Sequence, residues 1–171
     1  CQVVELFTNG VSLGRQILNP QSHVEWDNVP FAAGTLSAIG YNNGVPVITN
    51  TIATAGAPAS ITLTPDRSTI LADGRDLSLV TVAVRDAQGN LVPTATNQIN
   101  FTISGGTILG VGNGNPSSHE ADKASARMVF NGLAQVVVQS VTQPGQIVLT
   151  ATSSGLVSTS ATITAATTLP P

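Results

Sequence analysis

The stretch Val4-Glu5-Leu6-Phe7-Thr8-Asn9-Gly10-Val11-Ser12-Leu13-Gly14 decides the fold class of this chain. Apolar and polar residues alternate on both sides of Asn9-Gly10. Asn-Gly suits a type I′ hairpin turn, because both central residues there need φ > 0. The expected hairpin sets Phe7 opposite Ser12 and Leu6 opposite Leu13, so one face of the ribbon is apolar and the other mixed. A two-stranded ribbon is marginal alone in water. It needs further strands, and the sequence supplies none before it. An open edge along residues 3–7 is therefore expected, to be filled by a second copy, a partner segment or a tail.

The same alternation continues downstream. Gly34 to Tyr41 reads as a strand, Asn42-Asn43-Gly44 as a second turn, and Val45 to Thr54 as the returning strand. With a short strand at His23-Val24-Glu25-Trp26, about five strands fill residues 1–54, the count of a small sandwich or barrel. Leu36, Ala38 and Gly40 share one face; Thr35, Ser37 and Ile39 share the other. Ala55-Gly56-Ala57-Pro58 marks a linker over 55–58. A second unit, 59–166, carries about seven period-two runs. Examples are Ile61 with Leu63, Val80 with Val82 and Val84, Ile99 with Phe101 and Ile103, and Ile147 with Leu149 and Ala151. That is the immunoglobulin-like count. Around Leu77, Leu79 and Val80 the apolar phase slips by one, which predicts a bulge. Residues 167–171 read as a tail. The expected fold is all-β, two tandem antiparallel β-sandwiches, the first lacking its N-terminal strand.

Composition narrows the function classes. The chain has 171 residues, of which 42% are hydrophobic and only 9% charged, against about a quarter charged in an ordinary soluble domain. A net charge of −3 with scattered basic residues argues against a nucleic-acid partner. No apolar run approaches the roughly 20 residues of a membrane-spanning helix, so no membrane partner is expected. Cys1 is the one cysteine and has no internal disulfide partner.

The ordered set of motifs resembles the C-terminal part of bacterial β-galactosidases of glycoside hydrolase family 2. The hairpin at 4–14, Val24-Glu25-Trp26 and residues 30–41 resemble the β-sandwich domain that follows the catalytic barrel there. Leu63-Thr64-Pro65-Asp66, Ala72 to Leu77, Val111 to Pro116 with Ser118-His119-Glu120, and Phe130-Asn131-Gly132 are similar to an invasin-like immunoglobulin domain. The resemblance implies a non-catalytic accessory region of a secreted glycosidase, periplasmic or extracellular. Its partner would be the catalytic region of the same protein, and that protein would hydrolyse terminal β-galactosides. A carbohydrate-binding module and an adhesin-like repeat segment are the alternatives.

The candidate chemistry is sparse. Glycoside hydrolysis generally needs two carboxyl groups facing each other about 5–10 Å apart. Glu5, Glu25 and Glu120 are the only glutamates, and nothing in their spacing pairs them, so no catalytic residue is expected. Ser117, Ser118, His119 and Glu120 crowd one loop, but a nucleophilic triad is a matter of geometry, not adjacency. Asn113, Asn115, Glu120 and Asp122 form an oxygen-rich stretch without the spacing of a calcium loop, and no metal or cofactor is expected. Residues 112–131 are long for a sandwich connection. Asn113, Asn115, Ser118, His119 and Glu120 are therefore the candidates for an ordered bracing or contact loop, with Lys123 and Arg127 adding basic groups. Trp26 and Tyr41 are the candidate sugar-stacking aromatics, against packing in the core.

Overall fold

The computed structural model describes residues 1–169; of the tail at 167–171, Pro170 and Pro171 fall outside the described residues. Among the described residues the chain is built of strands joined by turns, and it divides between Thr54 and Ala55 into two compact units.

The first unit is one antiparallel sheet. Its strands are β1 (Val3–Thr8), β2 (Val11–Ile17), β3 (Thr35–Asn42) and β4 (Val45–Ala53), in the order β2-β1-β3-β4. Asn9 and Gly10 have φ of 51° and 80°, and Asn43 and Gly44 have 50° and 80°, so both Asn-Gly turns take the conformation the sequence predicts. Phe7 pairs with Ser12 as expected. Leu6 faces a bulge at Leu13 and Gly14 rather than Leu13 alone, because the register shifts between Glu5 and Phe7.

Three expectations need correction here. β1 is an interior strand, so residues 3–7 are not an open edge: Val3 to Thr8 pair with Tyr41 back to Leu36 on the side away from β2. The reason is the 18–34 connection, which brings the chain back to the Asn9 end and lays β3 alongside β1. The free edges are β2 and β4. Residues 23–26 form no strand. Pro20 and Pro30 flank them, and Gln21 and Asn28 take φ of 62° and 56°, which interrupts extended backbone. The unit therefore has four strands, not five.

Register assigns the two faces of this sheet. Val4, Leu6, Val11, Leu13, Leu36, Ala38, Ile48 and Ile52 lie on one side with Gly40. At Gly40 a Cβ would sit 2.7 Å from the Ile48 Cγ2 and 2.8 Å from the Cys1 sulfur, so glycine lets those side chains close over the backbone. The other side carries Glu5, Ser12, Arg15, Ser37, Tyr41 and Thr51 among Phe7 and Ile39. The Gln16 amide reaches from the apolar side to the Glu25 carbonyl, so the middle of the 18–34 connection crosses that side near β2.

The second unit is a sandwich. One sheet contains β10 (Ala126–Met128), β8 (Gln98–Ser104), β12 (Gly145–Thr152), β13 (Thr159–Ala166) and β6 (Thr69–Leu71), in that order. The other contains β5 (Ser60–Pro65), β7 (Leu77–Arg85), β11 (Leu133–Ser140) and β9 (Gly106–Gly112). Strand pairing is antiparallel except for β6 with β13, and an isolated parallel bridge joins Ser60 to Val157. Inward residues of both sheets make one core, with Ile70, Val80, Val82, Ile99, Val136, Ile147, Leu149 and Ile163 fully buried. Nine strands stand where about seven are expected, because β6 and β10 are three-residue strands too short to show a period, and β9 is rich in glycine.

The bulge predicted near Leu77 is absent. β7 pairs with β11 in unbroken register from Leu77 to Ala83. Ser78, not an apolar residue, fills the inward position, and Leu79 points outward. The buried Ser78 hydroxyl lies 3.0 Å from Asp66 Oδ1 and 2.9 Å from the Arg67 carbonyl, which satisfies it inside the core.

Candidate functional site

Residues 113–125 connect β9 to β10, and their side chains converge on Arg127. The Arg127 side chain is only 6% exposed. Its guanidinium donates to the Glu120 carbonyl at 3.1 Å, to Asp122 Oδ1 at 3.2 Å and to Asn113 Oδ1 at 3.4 Å. Its Nε lies 3.6 Å from Glu120 Oε2. Two of those residues, Asn113 and Glu120, are held in turn. Asn113 Nδ2 donates to the Met128 carbonyl, and Asn113 Oδ1 accepts the Asn115 N–H. Asn115 Oδ1 accepts the Ser117 N–H. Ser118 donates to Glu120 Oε2 at 3.2 Å, and Glu120 Oε1 accepts the Met128 N–H at 3.0 Å. Short side-chain-to-backbone bonds of this kind are what Asn and Ser supply in place of regular structure.

This arrangement does two things physically. It pairs with oxygens a buried cation that an apolar interior would otherwise reject, although the Arg127 Nε itself has no hydrogen-bond partner among the described residues. It also covers a strand edge, since the Val111 N–H of β9 donates to the Asp122 carbonyl at 2.8 Å and the Phe101 N–H of β8 donates to the Ser125 carbonyl at 2.8 Å. The oxygens of the loop thus face a guanidinium, and among the described residues no group of three or more acidic, histidine or cysteine side chains is placed to hold a metal. His119 is exposed and makes no hydrogen bond among the described residues, and Lys123 is exposed. Of the five singled-out residues, the structure joins Asn113, Asn115, Ser118 and Glu120 and leaves His119 outside the network.

The other singled-out residues lie apart. Tyr41 donates to Glu5 Oε2 at 2.9 Å, and the Arg15 guanidinium stands 4.4 Å from its ring centroid. Ser12 and Arg15 donate to the same carboxylate at 2.7 and 2.8 Å. The Ser12 hydroxyl first, then Arg15, hold the Glu5 carboxyl below its usual range, while burial opposes them. One ring face of Tyr41 is thus taken by a cation. Trp26 is half-buried in the 18–34 connection. Glu25 pairs with His23 at 2.8 Å, both largely in solvent. Each glutamate is committed to its own neighbours.

Beside Asn113, on the outer face of the β5-β7-β11-β9 sheet, is an open depression of about 320 Å³ bordered by Thr81, Leu133 and Gln135.

The most constrained acid in the second unit is one the sequence reading passed over. Asp86, 2% exposed, accepts N–H bonds from Gly56 at 2.8 Å, Gln88 at 3.0 Å and Asn90 at 2.8 Å, and a fourth bond from the Asn90 amide at 3.0 Å. The Gly56 N–H is the foremost of these, and together they hold the carboxyl at about 2 against the cost of its burial. The signal was present in Asp86-Ala87-Gln88-Gly89-Asn90, where an aspartate opens a glycine turn and can bond backbone two and four residues on. Likewise Asn131-Gly132, with φ of 52° and 75°, is a third turn of the kind that Asn9-Gly10 announces.

The family model described as glycoside hydrolase family 2 C-terminal domain 5 matches residues 61–162, and a domain of unknown function, DUF4982, matches residues 1–48. The chain is similar to the β-galactosidase BoGH2A of Bacteroides ovatus, 51% identical over 90% of this chain and 18% of that protein. It is also similar to a β-glucuronidase of Formosa agariphila, 32% identical over 95% of this chain and 17% of that protein. A solved glycosyl hydrolase family 2 member from Bacteroides cellulosilyticus superposes with a TM-score of 0.86 at 39% identity, over 97% of this chain and 22% of that one. The chain thus spans about a fifth of the length of these relatives. It belongs to the glycoside hydrolase family 2 C-terminal domain 5 family.

Proposed function

We propose that this chain is a non-catalytic accessory region of a family 2 glycoside hydrolase, and that the whole protein removes terminal β-galactosyl groups. The observation that carries the reading is 51% identity to a β-galactosidase along nearly all of this chain but only 18% of that relative. The chemistry of the residues supports it. A glycosidase needs one carboxyl group to protonate the leaving oxygen and a second across the bond, and Glu5, Glu25 and Glu120 are each bonded to separate local partners. The role of this region is mechanical: it packs against the catalytic region and sets its spacing. Within that role the 113–125 loop braces the second sandwich. The low charge content supports a periplasmic or extracellular place, which cell fractionation with an antibody to these residues tests.

The substrate test uses the whole protein, offered aryl β-galactosides and aryl β-glucuronides. Faster turnover of the galactoside is expected. A preference for the glucuronide overturns the substrate, and turnover of neither overturns the glycosidase reading.

A further inference from the structure

The two faces of the first sheet are chemically unlike. On one, Glu5, Ser12, Arg15 and Tyr41 satisfy one another, and Ser37 bonds Thr51 at 2.8 Å. The other carries no charge. Its interior strands present Val4, Leu6, Leu36 and Ala38 with Thr8 at the turn end, and the edge strand β4 adds Ile48 and Ile52, each 63% exposed, on either side of Asn50. A single sheet cannot bury its own apolar face, and stable domains solve this with a second layer. The 18–34 connection reaches this side near β2, and the β4 side is left in water. Exposed isoleucines on an uncharged sheet face suit apolar side chains from another layer.

We propose that the apolar face of the first sheet, centred on Leu36, Ile48 and Ile52, is an internal interface, covered by a layer from the part of the same protein N-terminal to these residues. This rests on the reading of the chain as one region of a larger family 2 protein. The occupant follows from length. The matched model is a C-terminal domain, and the chain accounts for only 17–22% of the relatives described above. Four fifths of such a protein therefore stands available to supply the layer, covalently tethered and hence at high effective concentration. A second copy of the chain has no such advantage.

Hydroxyl-radical footprinting of the unaltered whole protein tests this with an internal control. Ile17 has the same side chain, is 74% exposed and lies on the opposite face, paired with Val3. Ile48 and Ile52 are expected to oxidise at least about tenfold more slowly than Ile17, at every protein concentration. Equal rates for the three isoleucines overturn the proposal. Protection of Ile48 and Ile52 that appears only as concentration rises also overturns it, because the cover is then a second copy. The readout does not depend on turnover, so an inactive protein would sink the glycosidase reading and leave this result legible.

Discussion

Replacing Arg127 by methionine isolates the pin that holds the 113–125 loop. Methionine fills most of the buried volume and removes every donor. The bond to Asp122 contributes little, because that carboxylate is 83% exposed and screened. The bond to the Glu120 carbonyl and the nearby Glu120 carboxylate carry the effect, and charge-assisted bonds of this kind contribute about 1.5–3 kcal/mol. A loss of about 2.5 kcal/mol is therefore expected. A unit of this size unfolds with an entropy near 0.25 kcal/mol/K, so the melting temperature of the second unit falls by about 10 °C. Calorimetry of the chain measures this directly. A double-mutant cycle with Glu120→Gln should show coupling of about 1 kcal/mol, since the two side chains share one network. Hydrogen exchange adds a local reading: the Val111 amide, which donates to the Asp122 carbonyl, loses protection with the loop. A melting shift under about 2 °C, or a cycle that is purely additive, refutes the bracing account.

Three further outcomes follow from particular contacts. Asp86 has a carboxyl held at about 2, below its ordinary value of 3.8, so its contribution is present above pH 4 and is lost as the pH falls towards 2. Melts from pH 6 to pH 2 should show this decline, with Asp86→Asn less stable at pH 6 and flatter through the acid window. In Gly132→Ala, a Cβ would lie 2.3 Å from the Val92 carbonyl oxygen at φ of 75°, and denaturant unfolding should report a loss of at least about 2 kcal/mol; a neutral variant contradicts the turn geometry. Leu149→Ala, at a fully buried core position, should cost about 3 kcal/mol by the same measurement, within the range for a buried leucine truncated to alanine.

Much of this fold can be read in the sequence because its strands alternate cleanly and its turns carry their own chemistry. Val80, Val82 and Val84 are buried as their period requires, and Asn9-Gly10 turns as its φ demands. The misreadings share a physical cause, which is that long-range pairing is invisible in local pattern. Nothing in Val3 to Thr8 says that β3 will return to its free side. Ser78 breaks the apolar period of β7 because its partners, Asp66 and the Arg67 carbonyl, lie 12 and 11 residues away. The loop at 113–125 showed its order through Asn, Ser and Gly, yet its centre, Arg127, looked like a surface base. Its burial depends on acceptors from Asn113 to Asp122 converging in space. Tyr41 is a similar case, since its commitment to Glu5 and Arg15 comes from the pairing of three strands.

On the proposed function, these residues serve a glycosidase without doing its chemistry. The most direct measurement is turnover of an aryl β-galactoside by the purified chain of residues 1–171, side by side with the whole protein. Turnover by the whole protein and none by the chain is the predicted result. Turnover by the chain that copurifies with it and disappears in Glu5→Gln, Glu25→Gln or Glu120→Gln would contradict the account.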